Sequence, residues 1–208
     1  MIEEQDIVNE VLRTVNRPED DEYWVKPVQK FVEESISRLL IKLDFELFNQ
    51  VVSFEAVNTW DDRVDTIDLS NSFKRVELVT DKYGKEWRMM PVASMSNDLY
   101  LESYRKFPEY TIAKRGLKLI LPPRFNNVFY VQGYLNLTSS RVQTGYKEEF
   151  LPAAHDYIYY DAVDRMYMFL QEDTDIIQLN RTMRDSAFLD VETWNAGFKS
   201  VGTIQIFG

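Results

Sequence analysis

Residues 151–185 read LPAAHDYIYYDAVDRMYMFLQEDTDIIQLNRTMRD and carry the longest helical periodicity in the chain. Apolar residues recur in them at steps of three and four, which predicts two consecutive helices. The stripe of the first helix consists of Ala154, Ile158, Ala162, Met166 and Phe169. The stripe of the second consists of Ile176, Leu179, Met183 and Ala187. Asp173 or Thr174 between them is suited to cap the second helix. The pattern therefore predicts a C-terminal helical hairpin over residues 146–194 that completes a helical core.

The N-terminal segment, residues 1–50, has the same periodicity. A short helix is expected to end near Asn16, because Pro18 disfavours helical geometry in the residue before it. A second helix is expected to open at Pro27, since proline is tolerated in a first turn. The apolar positions of these two helices are Ile7, Val8, Val11, Leu12 and Val15, then Val28, Phe31, Val32, Ile36, Leu39, Leu40 and Leu43. Both helices are predicted to join the core.

Between the helical segments, residues 51–145 change to short β-branched and aromatic runs separated by turn residues, which predicts an inserted β-rich region. The runs FKRVELV (73–79) and EWRMMPV (86–92) flank a turn at Asp81 to Gly84 and predict a hairpin. The runs YTIAKR (110–115), LKLIL (117–121) and VFYVQGYLNL (128–137) predict a three-stranded meander. Its last strand is expected to place Phe129, Val131, Gly133 and Leu135 on one face.

The final residues, 195–208, have three glycines and no helical period, so they are interpreted as an extended C-terminal arm. Its alternating end, TIQIF, suits addition to a partner's sheet or docking into a groove. The residues expected to bind a partner are Trp194, Phe198, Ile204, Ile206 and Phe207. The predicted fold class is α+β: a bundle of about four helices with an inserted antiparallel β region and this arm.

Composition excludes several classes of function. With 24 Lys and Arg against 34 Asp and Glu, the net charge is -10, which disfavours broad binding to nucleic acid or anionic lipid. The absence of cysteine excludes disulfides and thiolate metal sites. No apolar run approaches the roughly 20 residues of a membrane helix, so no membrane association is expected.

Candidate catalytic groups are few. His155 is the only histidine, too few for a histidine metal site, and it is interpreted as a packing residue at a helix start. Gly197 and Gly202 have P-loop spacing, but Thr203 stands where the lysine belongs. Three groups of neighbouring acidic residues are interpreted as parts of solvated faces or as helix caps. Their members are Asp61, Asp62, Glu148, Glu149, Glu172, Asp173 and Asp175. The chain is expected to have no catalytic, cofactor-binding or metal-binding residues and no cofactor.

The order of these elements resembles the head-to-tail adaptor (connector) proteins of tailed bacteriophages. The segment from Leu69 to Val76 is similar to a strand entry of that family, although Ser70 stands where proline is usual. Pro108 to Tyr110 matches a Pro-x-Tyr motif and is followed by a glycine, a strand that ends in proline and a long strand. The matching residues of this second region are Gly116, Pro122, Tyr134 and Leu135. The helical segment after Leu151 and Pro152 matches the family's closing segment.

The resemblance implies a structural virion protein without catalysis, located in the neck between capsid and tail and assembled in the host cytoplasm. It implies a homo-oligomeric ring, commonly dodecameric, beneath the portal protein. The ring would link the portal to tail or nozzle proteins and surround a channel through which DNA passes without specific binding.

Two alternatives come from other classes of protein. The first is a soluble carbohydrate- or protein-binding β module with helical flanks, whose contact surface would be Trp60, Tyr83 and Trp87. The second is an acidic hydrolase. Native size and an activity screen with and without divalent metal discriminate among the three hypotheses.

Overall fold

Four helices dominate the described part of the chain, and the fold class is α+β as predicted. The computed structural model describes residues 2–59, 65–69, 72–89, 109–113, 116–122, 124–136, 138 and 145–200. These residues divide into two units. One contains the described residues up to 47 together with 145–200, and the other contains the described residues from 48 to 138.

The helical unit contains α1 (Glu4–Thr14), α2 (Glu22–Lys42), α3 (Leu151–Leu170) and α4 (Thr174–Ser200). A π-helical turn, Tyr146–Phe150, leads into α3, and a 3-10 turn, Glu46–Phe48, follows α2. Helix α3 is the central element, because α1, α2 and α4 all pack on it. No helix in the described part of the chain combines the length and apolarity needed to cross a membrane.

Helix α1 begins and ends close to the predicted positions. Glu3 and Asp6 form a capping box at its start, where the Asp6 carboxylate accepts from the Glu3 backbone N–H at 2.8 Å. The chain leaves the helix at Asn16, whose φ of 54° is left-handed. The predicted stripe is buried as expected, at Ile7, Val8, Val11, Leu12 and Val15.

Helix α2 begins at Glu22, so the predicted start at Pro27 is wrong. The Asp21 carboxylate caps the helix by accepting from the Tyr23 N–H at 2.9 Å, and Pro27 lies inside the helix. Pro27 has no backbone N–H, so the helix lacks one internal hydrogen bond at this position. The predicted stripe of α2 is largely buried, although Phe31 and Leu43 are only half-buried.

Helix α4 corrects the predicted boundary of the C-terminal arm. Residues 195–200, which were assigned to an extended arm, continue the helix to Ser200. The buried Asn195 anchors this end, since its amide donates to the Asp44 carbonyl at 2.9 Å and accepts from the Glu46 N–H at 3.0 Å. The remainder of the predicted arm, residues 201–208, lies outside the described residues.

The β unit contains two sheets. Its strands are β1 (Asn49–Val57), β2 (Asp65–Asp68), β3 (Phe73–Asp81), β4 (Arg88–Met89), β5 (Glu109–Ala113), β6 (Gly116–Leu121) and β7 (Asn126–Leu135). The antiparallel order β1-β7-β3 forms one sheet, and the order β2-β6-β5-β4 forms the other. Residues from both sheets share one apolar core. Its members include Phe73, Val79, Trp87, Leu119, Leu121, Phe129 and Val131.

Two predicted strand pairings are only half right. The turn after β3 forms as expected, with Gly84 at a φ of 77°, but the bridge back to β3 is made by Glu86, before β4 begins, and β4 itself pairs in parallel with β5. Strands β5 and β6 form the predicted hairpin, whereas β7 leaves them and pairs between β1 and β3. The predicted face of β7 is buried at Phe129, Val131, Gly133 and Leu135. Alternation therefore identified β3, β5, β6 and β7 and the buried face of β7, but partner choice followed the shared core.

Candidate interaction surface

The residues predicted to bind a partner fall into two groups. Trp194 and Phe198 lie on α4 with ring centroids 5.0 Å apart, and Trp194 packs 6.2 Å from Phe45. Both are half-buried within the helical unit, so they contribute to its packing. Ile204, Ile206 and Phe207 lie outside the described residues.

His155 is held by its neighbours in the helical unit. Its Nε2 lies 2.9 Å from a Glu10 carboxylate oxygen, its Nδ1 lies 2.8 Å from Asp156, and its ring is parallel to that of Tyr159. The contact with Glu10 joins α3 to α1, which is the packing role expected for this residue.

The carboxylate groups noted in the sequence are spread over the chain. Glu148 accepts from the Gly145 N–H at 3.2 Å, and Asp173 accepts from the Asp175 N–H at 2.9 Å. Asp61 and Asp62 lie outside the described residues. Within the part of the chain that the structure describes, no three His, Cys, Asp or Glu side chains come together as possible metal ligands.

The surface suggested for a carbohydrate-binding module is not assembled in the described residues. Trp87 is buried and packs against Phe125 and Phe129 with ring centroids 5.7 and 5.1 Å away. Tyr83 is 81% exposed, and Trp60 lies outside the described residues. An aromatic platform for a sugar needs an accessible ring face, which Trp87 lacks.

A buried cluster of charges lies where α3 meets α2 and α4. Asp161, Asp164 and Arg165 are all buried in α3. From α2, Ser35 donates to Asp161 at 2.7 Å, and Glu34 accepts from Arg165. This cluster was not predicted from the sequence. The sequence feature that indicates it is the placement of Asp161, Asp164 and Arg165 at steps of three and four on an otherwise apolar helix.

Helix α4 supplies two arginines to the same cluster. Arg181 Nε donates to the Asp164 carboxylate at 3.0 Å. Arg184 Nη1 lies 3.4 Å from Asp164 and 3.7 Å from Asp161. Buried carboxylates are strongly destabilising unless they are paired, so these contacts determine which side of α4 faces α3.

The cluster also affects a neighbouring tyrosine. Burial raises the pKa of Tyr157, and the nearby Asp161 carboxylate raises it further. The Tyr157 ring packs against Phe188 of α4, with centroids 5.6 Å apart. The phenol therefore stays protonated beyond the ordinary tyrosine range.

The orientation of α4 leaves three of the four residues of its predicted apolar stripe in solvent. Ile176, Leu179 and Met183 were expected in the core, but all three are exposed, and Leu179 is 67% exposed. At about 100° per residue they span an arc of only about 60°. We call these three residues the α4 stripe. The fourth residue, Ala187, is buried as predicted, and the other buried positions of α4 are Asn180, Val191 and Asn195.

The surroundings of the α4 stripe are apolar at one end and acidic around it. Met168 and Phe169, in the last turn of α3, are exposed, although Phe169 was predicted to be buried. Exposed acidic side chains precede the stripe or lie close to it on α4, at Glu172, Asp173, Asp175 and Asp190. Arg181 and Arg184 bond to the buried aspartates, and Arg184 also bonds to Asp185, which lies away from the stripe. The surface thus combines large apolar side chains with negative charge.

A scan of the chain against models of known protein families finds no match, and a search of curated proteins finds no similar sequence. The function of the surface is therefore argued from its own geometry and charge.

Proposed function

We propose that this protein is a structural virion protein: a head-to-tail adaptor that forms a ring beneath the portal and links it to the tail. The observation that carries the proposal is the α4 stripe, a row of large apolar side chains left in solvent by the packing of α4 on α3. Apolar patches rimmed by polar residues mark sites of protein association. In an adaptor ring, a neighbouring subunit covers such a patch.

The order of elements also supports the proposal. Two helices, an inserted β region and a closing helical hairpin follow one another, which is the order that resembles the connector family. Strands β3, β5, β6 and β7 coincide with the segments in which that resemblance was found. Each segment alone is simple hydrophobic alternation, so it is the order that supports the family.

The proposed partners follow from this role. They are further copies of the chain in a closed ring, commonly dodecameric, the portal protein, and tail or nozzle proteins. DNA would pass through the channel without specific binding, and a net charge of -10 disfavours contacts with its phosphates. The proposed location is the neck of the virion, after assembly in the host cytoplasm, and no catalytic step is assigned to any residue.

The test is to purify the chain, measure its mass in solution by light scattering, and image it by negative stain with and without the portal protein of the virus that encodes it. An adaptor is expected to give rings, alone or seated on the portal. A chain that stays monomeric and leaves the portal undecorated contradicts the proposal. Binding on a glycan array by such a monomer would support the carbohydrate-binding module instead.

A further inference from the structure

We propose that the open edge of β1 pairs antiparallel with β1 of a second copy of the chain, with Phe54 of both copies on a two-fold axis. The two three-stranded sheets then form one continuous sheet, in the order β3-β7-β1-β1-β7-β3. The inference goes beyond the adaptor function proposed above, because it concerns a different surface of the molecule and does not depend on a ring.

Strand β1 lies at the edge of its sheet. It pairs with β7 over its whole length, Asn49–Val57, without a shift in register. In the part of the chain that the structure describes, the backbone from Val51 to Val57 makes no other hydrogen bond. One side of the strand therefore presents a row of unpaired N–H and C=O groups, which is a template for a further strand.

This edge lacks the features that usually prevent pairing. Edge strands are commonly protected by lysine, proline or bulges, and β1 has none of these; its one charged residue is Glu55. Strand β3, at the opposite edge of the same sheet, carries exposed Lys74 and Arg75, and its register shifts twice. The Trp87 N–H also donates to the Val79 carbonyl of β3 at 2.8 Å. The contrast indicates that β1 is the edge available to a partner.

The apolar core of the β unit is incomplete beside β1. Val52 and Phe54 pack against this core, but both are only half-buried. On the other face of the strand, Val51 and Val57 are 52% and 51% exposed. A further strand at this edge would remove apolar surface from water on both faces of the sheet, which favours pairing.

The sequence of β1 indicates that this further strand is a second copy of β1. Residues 51–57 read VVSFEAV, so the order of apolar and polar residues is the same in both directions from Phe54. When two copies run antiparallel about Phe54, each apolar residue lies opposite an apolar one and each polar residue opposite a polar one. The pairs are Val51 with Val57, Val52 with Ala56, and Ser53 with Glu55. The strand is therefore complementary to itself.

Other registers of the same two strands are less favourable. A shift by one residue places the core-facing side chains of one copy beside the exposed side chains of the other. A two-fold axis at Glu55 brings two carboxylates opposite each other, and like charges in that position are destabilising. An axis at Ser53 places Glu55 opposite Val51. The pattern of the strand thus selects the axis at Phe54.

The experiment uses the absence of cysteine from the chain. Two variants, Val51→Cys and Val57→Cys, carry different affinity tags, and circular dichroism checks that both keep the wild-type fold. They are mixed at low concentration, concentrated and oxidised, and the products are separated on a denaturing, non-reducing gel. Because position 51 lies opposite position 57 of the second copy, the mixture should give a disulfide-linked dimer that contains both tags, and reduction should abolish it.

The controls test the register and the edge. Each variant alone should give no linked dimer, because its two cysteines then lie about 20 Å apart along the paired strands. Val51→Cys mixed with Tyr83→Cys should also give none, since Tyr83 is 81% exposed but follows β3 at the other edge of the sheet.

Two outcomes overturn the inference. They are no linked dimer from the mixture, or an equal yield from one variant alone or from the Tyr83→Cys control. Either outcome leaves the adaptor function unaffected, because the β1 contact is isologous and closes after two copies, whereas a ring is built from heterologous contacts. Conversely, a linked dimer in the expected register supports β1 pairing whether or not the protein forms rings.

Discussion

Arg165 shows at the scale of a single residue how this protein keeps charge in a helical core. Its guanidinium is buried between Glu34 of α2 and Asp161 of α3, which is 3.2 Å away. Burial of one such charge alone is strongly unfavourable, so the cluster is stable only as a set. The same set orients α4 through Arg181 and Arg184.

Replacing Arg165 by Met is expected to lower the free energy of unfolding by about 3–5 kcal/mol, because Asp161 loses a buried partner. Lys26→Ala on the same unit is the control. Lys26 is in an exposed pair with Glu22, so its replacement should change the free energy by less than about 1 kcal/mol. Denaturant titration followed by far-UV circular dichroism measures both. If the two replacements changed the free energy of unfolding equally, the buried charges would not stabilise the fold as a set.

A second prediction concerns Tyr157 and alkaline pH. Its pKa is raised in the folded state, so the unfolded chain releases this proton first. The stability that the protonated phenol contributes is complete below about pH 10 and is lost as the pH rises through the folded pKa. Tyr157→Phe should therefore lose less stability between about pH 10 and 12 than the wild type. Urea titrations across this range test it. An unchanged slope in Tyr157→Phe would contradict the prediction.

At the scale of elements, Gly133 permits the pairing of β7 with β3. The register of β3 shifts between Phe73 and Arg75 and again between Val76 and Leu78, as expected of a β-bulge. A Cβ on Gly133 would collide with the Arg75 carbonyl oxygen and lie 3.0 Å from the Val76 Cα. The obstacle is backbone, so a larger residue requires the strands to move apart.

Two alanine substitutions of glycine should therefore have opposite effects. Gly133→Ala is expected to lower the free energy of unfolding by about 1–3 kcal/mol, the usual effect of overpacking. Gly197→Ala, in α4, is expected to raise it by up to about 1 kcal/mol, because nothing lies within 4 Å of the added Cβ and alanine favours helix. Chemical denaturation of both variants by tryptophan fluorescence and circular dichroism decides the signs. A neutral Gly133→Ala would show that the strands adjust freely.

For the complete protein, the α4 stripe is expected to contribute to ring formation and portal binding and not to the stability of the fold. Leu179→Glu should keep the wild-type melting temperature, since the side chain is already 67% exposed, but it should lose ring formation and portal binding. Leu189→Glu carries the same change at a site that is 60% exposed and off the stripe, and it should assemble normally. Light scattering and negative-stain imaging measure assembly. If both variants lost assembly, the added negative charge alone would explain the loss. If neither variant lost assembly, the α4 stripe would not be part of the interface.

Much of the fold followed from the sequence alone because its signals are local. Steps of three and four residues identified all four described helices, and alternation identified the buried face of β7 at Phe129 and Val131. The turn at Gly84 was predicted from its need for positive φ. The α+β class and the position of the β insertion follow from these local patterns. The resemblance to connector proteins also depends on them, and it stays a prediction.

Which surfaces meet depends on how the elements pack in three dimensions. The apolar stripe of α4 was predicted to be in the core, but the helix instead turns Arg181 and Arg184 toward Asp161 and Asp164. Strand β7 pairs with β1 and β3, although β6 precedes it in the chain. Periodicity specifies that a face is apolar, whereas burial depends on what the opposing element presents. Because buried charge on α3 requires partners, pairing it took precedence over burying Ile176, Leu179 and Met183, and this left the candidate interaction surface exposed.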